Sequence, residues 1–307
     1  MNIGFIGLGR MGAPIASHLH AAGNAITVLP RTTPTGLSAP LAANYRVAES
    51  PAALAATSDI VFTCLPSSAV VADLVNGPQG MAVAAPLGFV HVDLTSGDPE
   101  TSVAIARAYA DRGAHFADIG MSGAPERAQA GTLTLMVGAS DAVFAKIQPL
   151  LTIFSSRSFH FGGIGSGHRA KLIIAFYGMA IANATAEALT AARRFGIDIA
   201  AIHEVVSGSG MNSTTFQTMA LAAMGRPGEA RKLTVGSARK DVAYFVAMAN
   251  EANLATTIAP ATLQMLTLCC AAGHAETFVS DLAAVVSSIN GLDNPDNPES
   301  TAGEYNA

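Results

Sequence analysis

Cysteine is scarce in this sequence, and so is charge. The three cysteines, Cys64, Cys269 and Cys270, form no CxxC, and adjacent cysteines rarely bridge each other. That pattern excludes a disulfide framework and a cysteine zinc site, and points to a reducing, cytoplasmic setting with no metal. An excess of basic residues is also missing. The net charge is -5, against the basic face expected of a general nucleic-acid binder. Only 13% of residues are charged while 50% are hydrophobic, which excludes a disordered chain. No apolar run reaches the roughly 18 residues of a membrane span. Leu172 to Ala182 comes nearest, but Asn183 and Glu187 interrupt it, so a buried helix is the better reading. The N-terminus opens into a strand without a charged leader or cleavage site, so no signal peptide is expected. No internal repeat is visible. A length of 307 residues suggests two domains with ample core.

What is present is order along the chain. Met1 to Ile6 is a short apolar run, followed by Gly7-Leu8-Gly9-Arg10-Met11-Gly12, a helical pattern from Ala13 to Ala22, and a second strand from Ala25 to Leu29. Strand, GxGxxG, helix and strand within about 30 residues is the context of a dinucleotide fingerprint. Gly7 allows the tight turn, Gly9 lets the backbone approach the pyrophosphate, and Gly12 lets helix and strand pack closely. The helix N-terminus offers unpaired N–H groups to the phosphates. After the second strand comes Pro30-Arg31-Thr32-Thr33, where an acidic residue would bind ribose hydroxyls. No carboxylate is there. Arg31, helped by Thr32, suits a 2′-phosphate, which favours NADP with NAD as the alternative; an ordinary surface arginine is the other reading.

Alternating strands and helices continue to about residue 163. Asp59 to Cys64 ends in Leu65-Pro66-Ser67, and Gly88 to Asp93 ends in Leu94-Thr95-Ser96. Ligands bind beyond the carboxyl ends of such strands, so Leu65, Pro66, Thr95 and Ser96 are candidates for the nicotinamide side, with helix capping by Ser67 and Ser96 as the alternative. His115 to Asp118 reads as a strand leading into Ser122-Gly123-Ala124-Pro125, small residues whose hydroxyl and N–H groups can approach an anion. Thr132 to Val137 and Phe159 to Phe161 are the last strands. Gly165 to Phe195 then lacks proline, and reads as one helix of roughly 40 Å with Lys171 near its start. Three or four helices follow, one of them carrying Arg239-Lys240-Asp241. The expected fold class is α/β: an N-terminal Rossmann-type doubly wound sheet (1–163), a long interdomain helix (164–195), an all-α domain (196–290) and a flexible tail (291–307).

Six motifs occur in one order: Gly7 to Gly12, Asp93-Leu-Thr95-Ser96, Ser122-Gly123-Ala124, Gly131-Thr-Leu-Thr-Leu-Met-Val-Gly138, Gly165-Ser-Gly-His-Arg-Ala-Lys171 and Arg239-Lys240-Asp241. Over about residues 1 to 290 the chain resembles the β-hydroxyacid dehydrogenases, among them 3-hydroxyisobutyrate dehydrogenase and the semialdehyde reductases. The resemblance implies hydride transfer between a nicotinamide and a small 3-hydroxy acid or semialdehyde acid. It makes Lys171 the general acid/base. Ser122, Gly123 and Ala124 become substrate-carboxylate residues, Lys240 a lysine near cofactor and substrate, and Ser96 a neighbour of the nicotinamide ribose. It also implies a homodimer or homotetramer. Nothing in the motifs suggests a nucleic-acid or membrane partner.

The chain departs from the family pattern at two positions. Ala175 stands where the family usually has Asn, sometimes Gln, four residues after the lysine, and Ala124 replaces a glycine. The lost amide contact would then fall to Tyr177, Asn212 or His168, and Arg127 could add charge for an acidic substrate. Two other readings remain: an imine reductase, which usually replaces the lysine by Asp or Tyr, and a non-catalytic NADP-binding module.

Overall fold

A computed structural model of the chain describes residues 1–30, 36–226 and 233–292. Arg31 and Thr32, and the expected tail from 293 on, lie outside the described residues. The chain divides into two compact units, Met1–Lys171 and a second beginning at Leu172.

The first unit is built from short strands, of which the central β4 (Ile60–Thr63) and β5 (Val90–Asp93) are buried along their whole length, as strands covered on both faces must be. They are β1 (Asn2–Ile6), β2 (Ala25–Val28), β3 (Arg46–Val47), β4 (Ile60–Thr63), β5 (Val90–Asp93), β6 (His115–Ser122), β7 (Leu133–Gly138) and β8 (Ser155–Gly162). They form one sheet in the order β3-β2-β1-β4-β5-β6-β7-β8, parallel except for the β6/β7 pair. The strand order reverses between β1 and β4, so the crevice between their carboxyl ends is the switch point of a doubly wound sheet. Helices α1 (Gly12–Ala21), α2 (Ala39–Asn44), α3 (Pro51–Ala56), α4 (Ser68–Asn76), α5 (Met81–Ala84), α6 (Pro99–Ala110), α7 (Pro125–Gln129) and α8 (Asp141–Leu151) connect them. Two apolar cores form around this sheet. One gathers Phe5, Ile15, Leu19, Phe62 and Phe154, and the other Leu54, Val71, Met81, Phe89 and Tyr109.

Helix α9 (Ser166–Arg194) begins in the first unit and continues into the second. By length and composition it could cross a membrane, although 39% of its apolar window is buried within the protein. The second unit then holds α10 (Ile199–Ser207), α11 (Thr214–Ala223), α12 (Val235–Glu251), α13 (Ile258–Ala271) and α14 (Leu282–Ile289). That is five helices after Gly196 among the described residues, where three or four were expected. Met179, Ala182, Ala186 and Leu189 recur every three to four residues along α9 and pack with Phe216, Val242, Leu266 and Leu282.

Three local expectations are corrected. The last strand is eight residues, not three. Its serines and arginine conceal the pattern because β8 is a sheet edge with Phe159 and Phe161 exposed. Ser96 does not cap α6; Asp98 does, its carboxylate accepting the Thr101 N–H at 2.8 Å. The strand begun at His115 runs on through Ser122, and its second half, Asp118 to Ser122, pairs with β7.

Candidate active site

The fingerprint glycines sit at the switch point for separable reasons. Gly7 has φ +97, open to glycine, and a Cβ there would strike the Cys64 carbonyl of the next strand. A Cβ on Gly12 would strike the Gly7 carbonyl and lie 2.9 Å from the Phe5 ring. These two glycines close the β1–α1 turn. Gly9 differs, because among the described residues a Cβ there would meet no atom within 4 Å. No packing among the described residues demands that glycine, so the space it leaves fits a pyrophosphate at the N-terminus of α1. Leu8, Arg10 and Met11 complete this turn.

Beside it, the turn after β4 carries Leu65 and Pro66. The Leu65 N–H donates to Thr95 Oγ1 at 3.0 Å, and the Thr95 N–H donates to Asp93 Oδ1 at 3.0 Å. Thr95 is only 1% exposed, so its hydroxyl holds the neighbouring turn rather than lining a surface. Ser96 is half-buried.

Asp93 belongs to a buried polar chain absent from the sequence reading. The Thr63 hydroxyl donates to Asp93 Oδ1 at 2.7 Å, so its oxygen is left to accept from His91 Nε2 at 2.8 Å. His91 Nδ1 then accepts the Tyr109 hydroxyl at 3.2 Å. Burial pushes the His91 pKa down to about 3 and pushes the Tyr109 phenol up, so both stay neutral. Burial also raises the Asp93 carboxyl, while His168, Thr95 and Thr63 oppose it. A sequence signal existed. Val90-His91-Val92-Asp93 places two polar residues on one face of a strand that is otherwise apolar.

The start of α9 is held by β6. Asp118, fully buried, accepts the Gly165 N–H at 2.6 Å and the His168 N–H at 2.7 Å. Its carboxylate therefore does for the helix N-terminus what a capping side chain does, from 47 residues away. Glycines allow this approach. A Cβ on Gly167 would lie 2.6 Å from the Met136 carbonyl and 2.7 Å from the Gly138 nitrogen. Two residues beyond Asp118, a Cβ on Gly120 would overlap Lys171 Cβ and lie 3.1 Å from its Cγ. Residues 118, 120 and 122 share one face of the strand. That face thus caps the helix, supports the Lys171 stem and ends at Ser122.

Ser122 is half-buried, and Gly123, at φ +136, is exposed. A Cβ on Gly123 would lie 3.1 Å from both Cβ and Cδ of Arg127, so the arginine stem runs along this glycine. Ala124 precedes α7. His168 is 1% exposed, and its Nδ1 shares a 2.9 Å hydrogen bond with Ser102 Oγ. Tyr177 is exposed and Ala175 half-buried on α9. In the second unit Lys240 lies on α12, 3.7 Å from Asp241 and 6.0 Å from the Tyr244 ring centroid. Asn212 is exposed and donates to the Ser207 carbonyl. Among the described residues no group of three His, Cys, Asp or Glu side chains is placed to hold a metal.

Comparison with known proteins is consistent with this geometry. Residues 2–163 match the family model of the NAD-binding domain of 6-phosphogluconate dehydrogenase. Residues 165–288 match that described as the NAD-binding of NADP-dependent 3-hydroxyisobutyrate dehydrogenase. The chain is 39% identical over 173 residues to 2-(hydroxymethyl)glutarate dehydrogenase of Eubacterium barkeri, covering 56% of this chain and 57% of that enzyme. It is 30% identical over 218 residues to 2-hydroxy-3-oxopropionate reductase of Escherichia coli, covering 71% and 74%. Several of the curated relatives are thus matched over less than two thirds of their length. In fold the chain resembles Mycobacterium tuberculosis 3-hydroxyisobutyrate dehydrogenase, with a TM-score of 0.81 at 22% identity over 93% of this chain and 98% of that one.

Proposed function

The chain belongs to the β-hydroxyacid dehydrogenase family, and from that premise we propose that it is a reductase and dehydrogenase of small 3-hydroxy acids and their semialdehydes, using NADP(H) in preference to NAD(H). The observation that carries this reading is the strand face that ends at Ser122 with Lys171 seated on Gly120. A bound nicotinamide supplies the hydride chemistry, and the fingerprint turn and the Leu65–Pro66 turn are the residues that would hold it.

The rest is the work of the chain's own side chains. The Lys171 ammonium polarises the carbonyl oxygen and protonates it as the alcohol forms; in the reverse direction neutral Lys171 removes the alcohol proton. The Ser122 hydroxyl and the N–H groups around Gly123 hold the substrate carboxylate and so fix the reacting carbon. For Lys240, on α12, the family resemblance alone supports a role toward substrate and cofactor. Arg127, lying along Gly123, favours substrates with a further acidic group, such as 2-(hydroxymethyl)glutarate, the compound in the name of the Eubacterium relative. NADP preference is supported by the missing carboxylate after β2 together with Arg31 and Thr32. A homodimer or homotetramer is supported by the exposed Ile173, Ile174 and Tyr177 on α9, and size-exclusion chromatography with light scattering tests it.

The reaction is tested by following NADPH and NADH oxidation with glyoxylate, succinic semialdehyde, tartronate semialdehyde and methylmalonate semialdehyde. The reverse reaction is followed with 2-(hydroxymethyl)glutarate. Turnover is expected with NADPH over NADH. Cofactor binding without turnover on any acid, but with turnover on cyclic imines, would assign the chain to imine reduction instead.

A further inference from the structure

The buried chain beneath the two cofactor turns has a use the proposed reaction leaves unassigned. Leu65 and Pro66 follow β4, and Thr95 follows β5; the two segments are tied by the Leu65 N–H donating to Thr95 Oγ1 at 3.0 Å. Thr95 is in turn fixed by Asp93, which accepts its N–H at 3.0 Å. Thr63, at the end of β4, donates to the same carboxylate at 2.7 Å. Asp93 is 2% exposed, Thr63 fully buried and Thr95 1% exposed, so none of them can reach a ligand directly. What Thr95 holds is the backbone after β4, through the Leu65 N–H. That backbone faces Gly7, whose Cβ position is filled by the Cys64 carbonyl.

We propose that Asp93 and Thr95 are positioning residues for the dinucleotide: the carboxylate fixes the Thr95 backbone through its N–H, and the Thr95 hydroxyl sets the Leu65–Pro66 turn against the fingerprint glycines. A buried carboxylate with several donors is a stiff anchor, because each donor loses its partner if the group turns. Its location on β5 explains why a residue that touches no ligand governs a turn on β4. This inference rests on the reading of Leu65 and Pro66 as cofactor contacts.

The test compares wild type, Thr95→Val, Thr95→Ser and Asp93→Asn for NADPH and NADH binding by fluorescence titration, alongside KM and kcat and the melting temperature without cofactor. Thr95→Val keeps the shape and removes the hydroxyl. Its cofactor Kd is expected to rise about tenfold, the scale of one well-made hydrogen bond, with the loss falling on cofactor affinity more than on kcat. Thr95→Ser is expected to restore binding, and Asp93→Asn to weaken it. Should Asp93→Asn fail to fold, the valine and serine variants decide alone. Wild-type affinity in Thr95→Val overturns the inference and leaves the proposed function standing. A wild type that binds neither NADPH nor NADH overturns both.

Discussion

Replacing Gly120 by alanine probes the seat of Lys171 without touching the lysine. Gly120 lies inside β6 and requires no left-handed backbone, so the substitution imposes no strain of its own. Its new methyl would overlap Lys171 Cβ, and would sit 3.0 Å from the Gly167 carbonyl and 3.1 Å from Lys171 Cγ. Ordinary carbon contacts are about 3.5–4.0 Å, so the first turns of α9 must move off the strand by roughly 1 Å. Overpacking of this kind costs about 1–3 kcal/mol, a fraction of a stability of about 5–15 kcal/mol, and the protein stays folded. Misplacing a reacting group by about 1 Å costs on the order of a hundredfold in rate. Gly120→Ala is therefore expected to lower kcat for semialdehyde reduction about a hundredfold, with a modest fall in melting temperature and little change in NADPH affinity. Steady-state kinetics, fluorescence titration and thermal unfolding measure all three. A variant with wild-type kcat would refute the placement of Lys171 on this strand face.

Gly9→Ala meets no atom of the described residues, so the unliganded melting temperature should hold while NADPH affinity falls at least tenfold; Gly12→Ala should lose stability as well. Asp118→Asn retains one acceptor where two N–H groups converge, and is expected to cost about 2 kcal/mol in urea unfolding. Equal stability would show that the carboxylate does not cap α9. His91 bears on pH. Its folded pKa is depressed to about 3 against an ordinary 6.5, so the unfolded chain binds the extra proton between those values. Stability from this group is present above pH 6.5 and is lost as pH falls, by up to about 1.4 kcal/mol per unit. Asp93, raised by burial, acts in the opposite sense above its ordinary value. His91→Gln should therefore flatten the acid side of the wild-type stability profile between pH 4 and 6.5, and parallel profiles would argue against a buried neutral histidine.

The fold class was legible because its signals are local. Gly7, Gly9 and Gly12 follow a strand and open a helix, and the run from Gly165 to Phe195 has no breaker. The helix observed, Ser166–Arg194, differs by a residue at each end. The short α2, α3 and β3 escaped because six residues or fewer carry too little periodicity. Lys171 and Ser122 were singled out by motif, but what joins them was not visible. Asp118 caps a helix 47 residues away, and only the fold supplies that distance. Gly120 did leave a trace, since an isolated glycine inside a strand pattern marks a close approach of another segment. His168 was named as one residue that could replace the lost amide contact, and the structure buries it against Ser102. The Asp93 chain was missed because Thr95 was read alone, as a ligand contact, and Thr63 was not read at all, while their shared partner lies in β5.

The central claim is that Lys171 moves the proton at the reacting oxygen, and the most direct measurement is turnover by Lys171→Ala with and without added methylamine. The variant should bind NADPH as tightly as wild type, lose roughly 10²–10⁴-fold in kcat, and regain part of it as methylamine supplies the missing ammonium. Turnover at the wild-type rate without the amine would contradict the claim and move the acid/base role to another side chain.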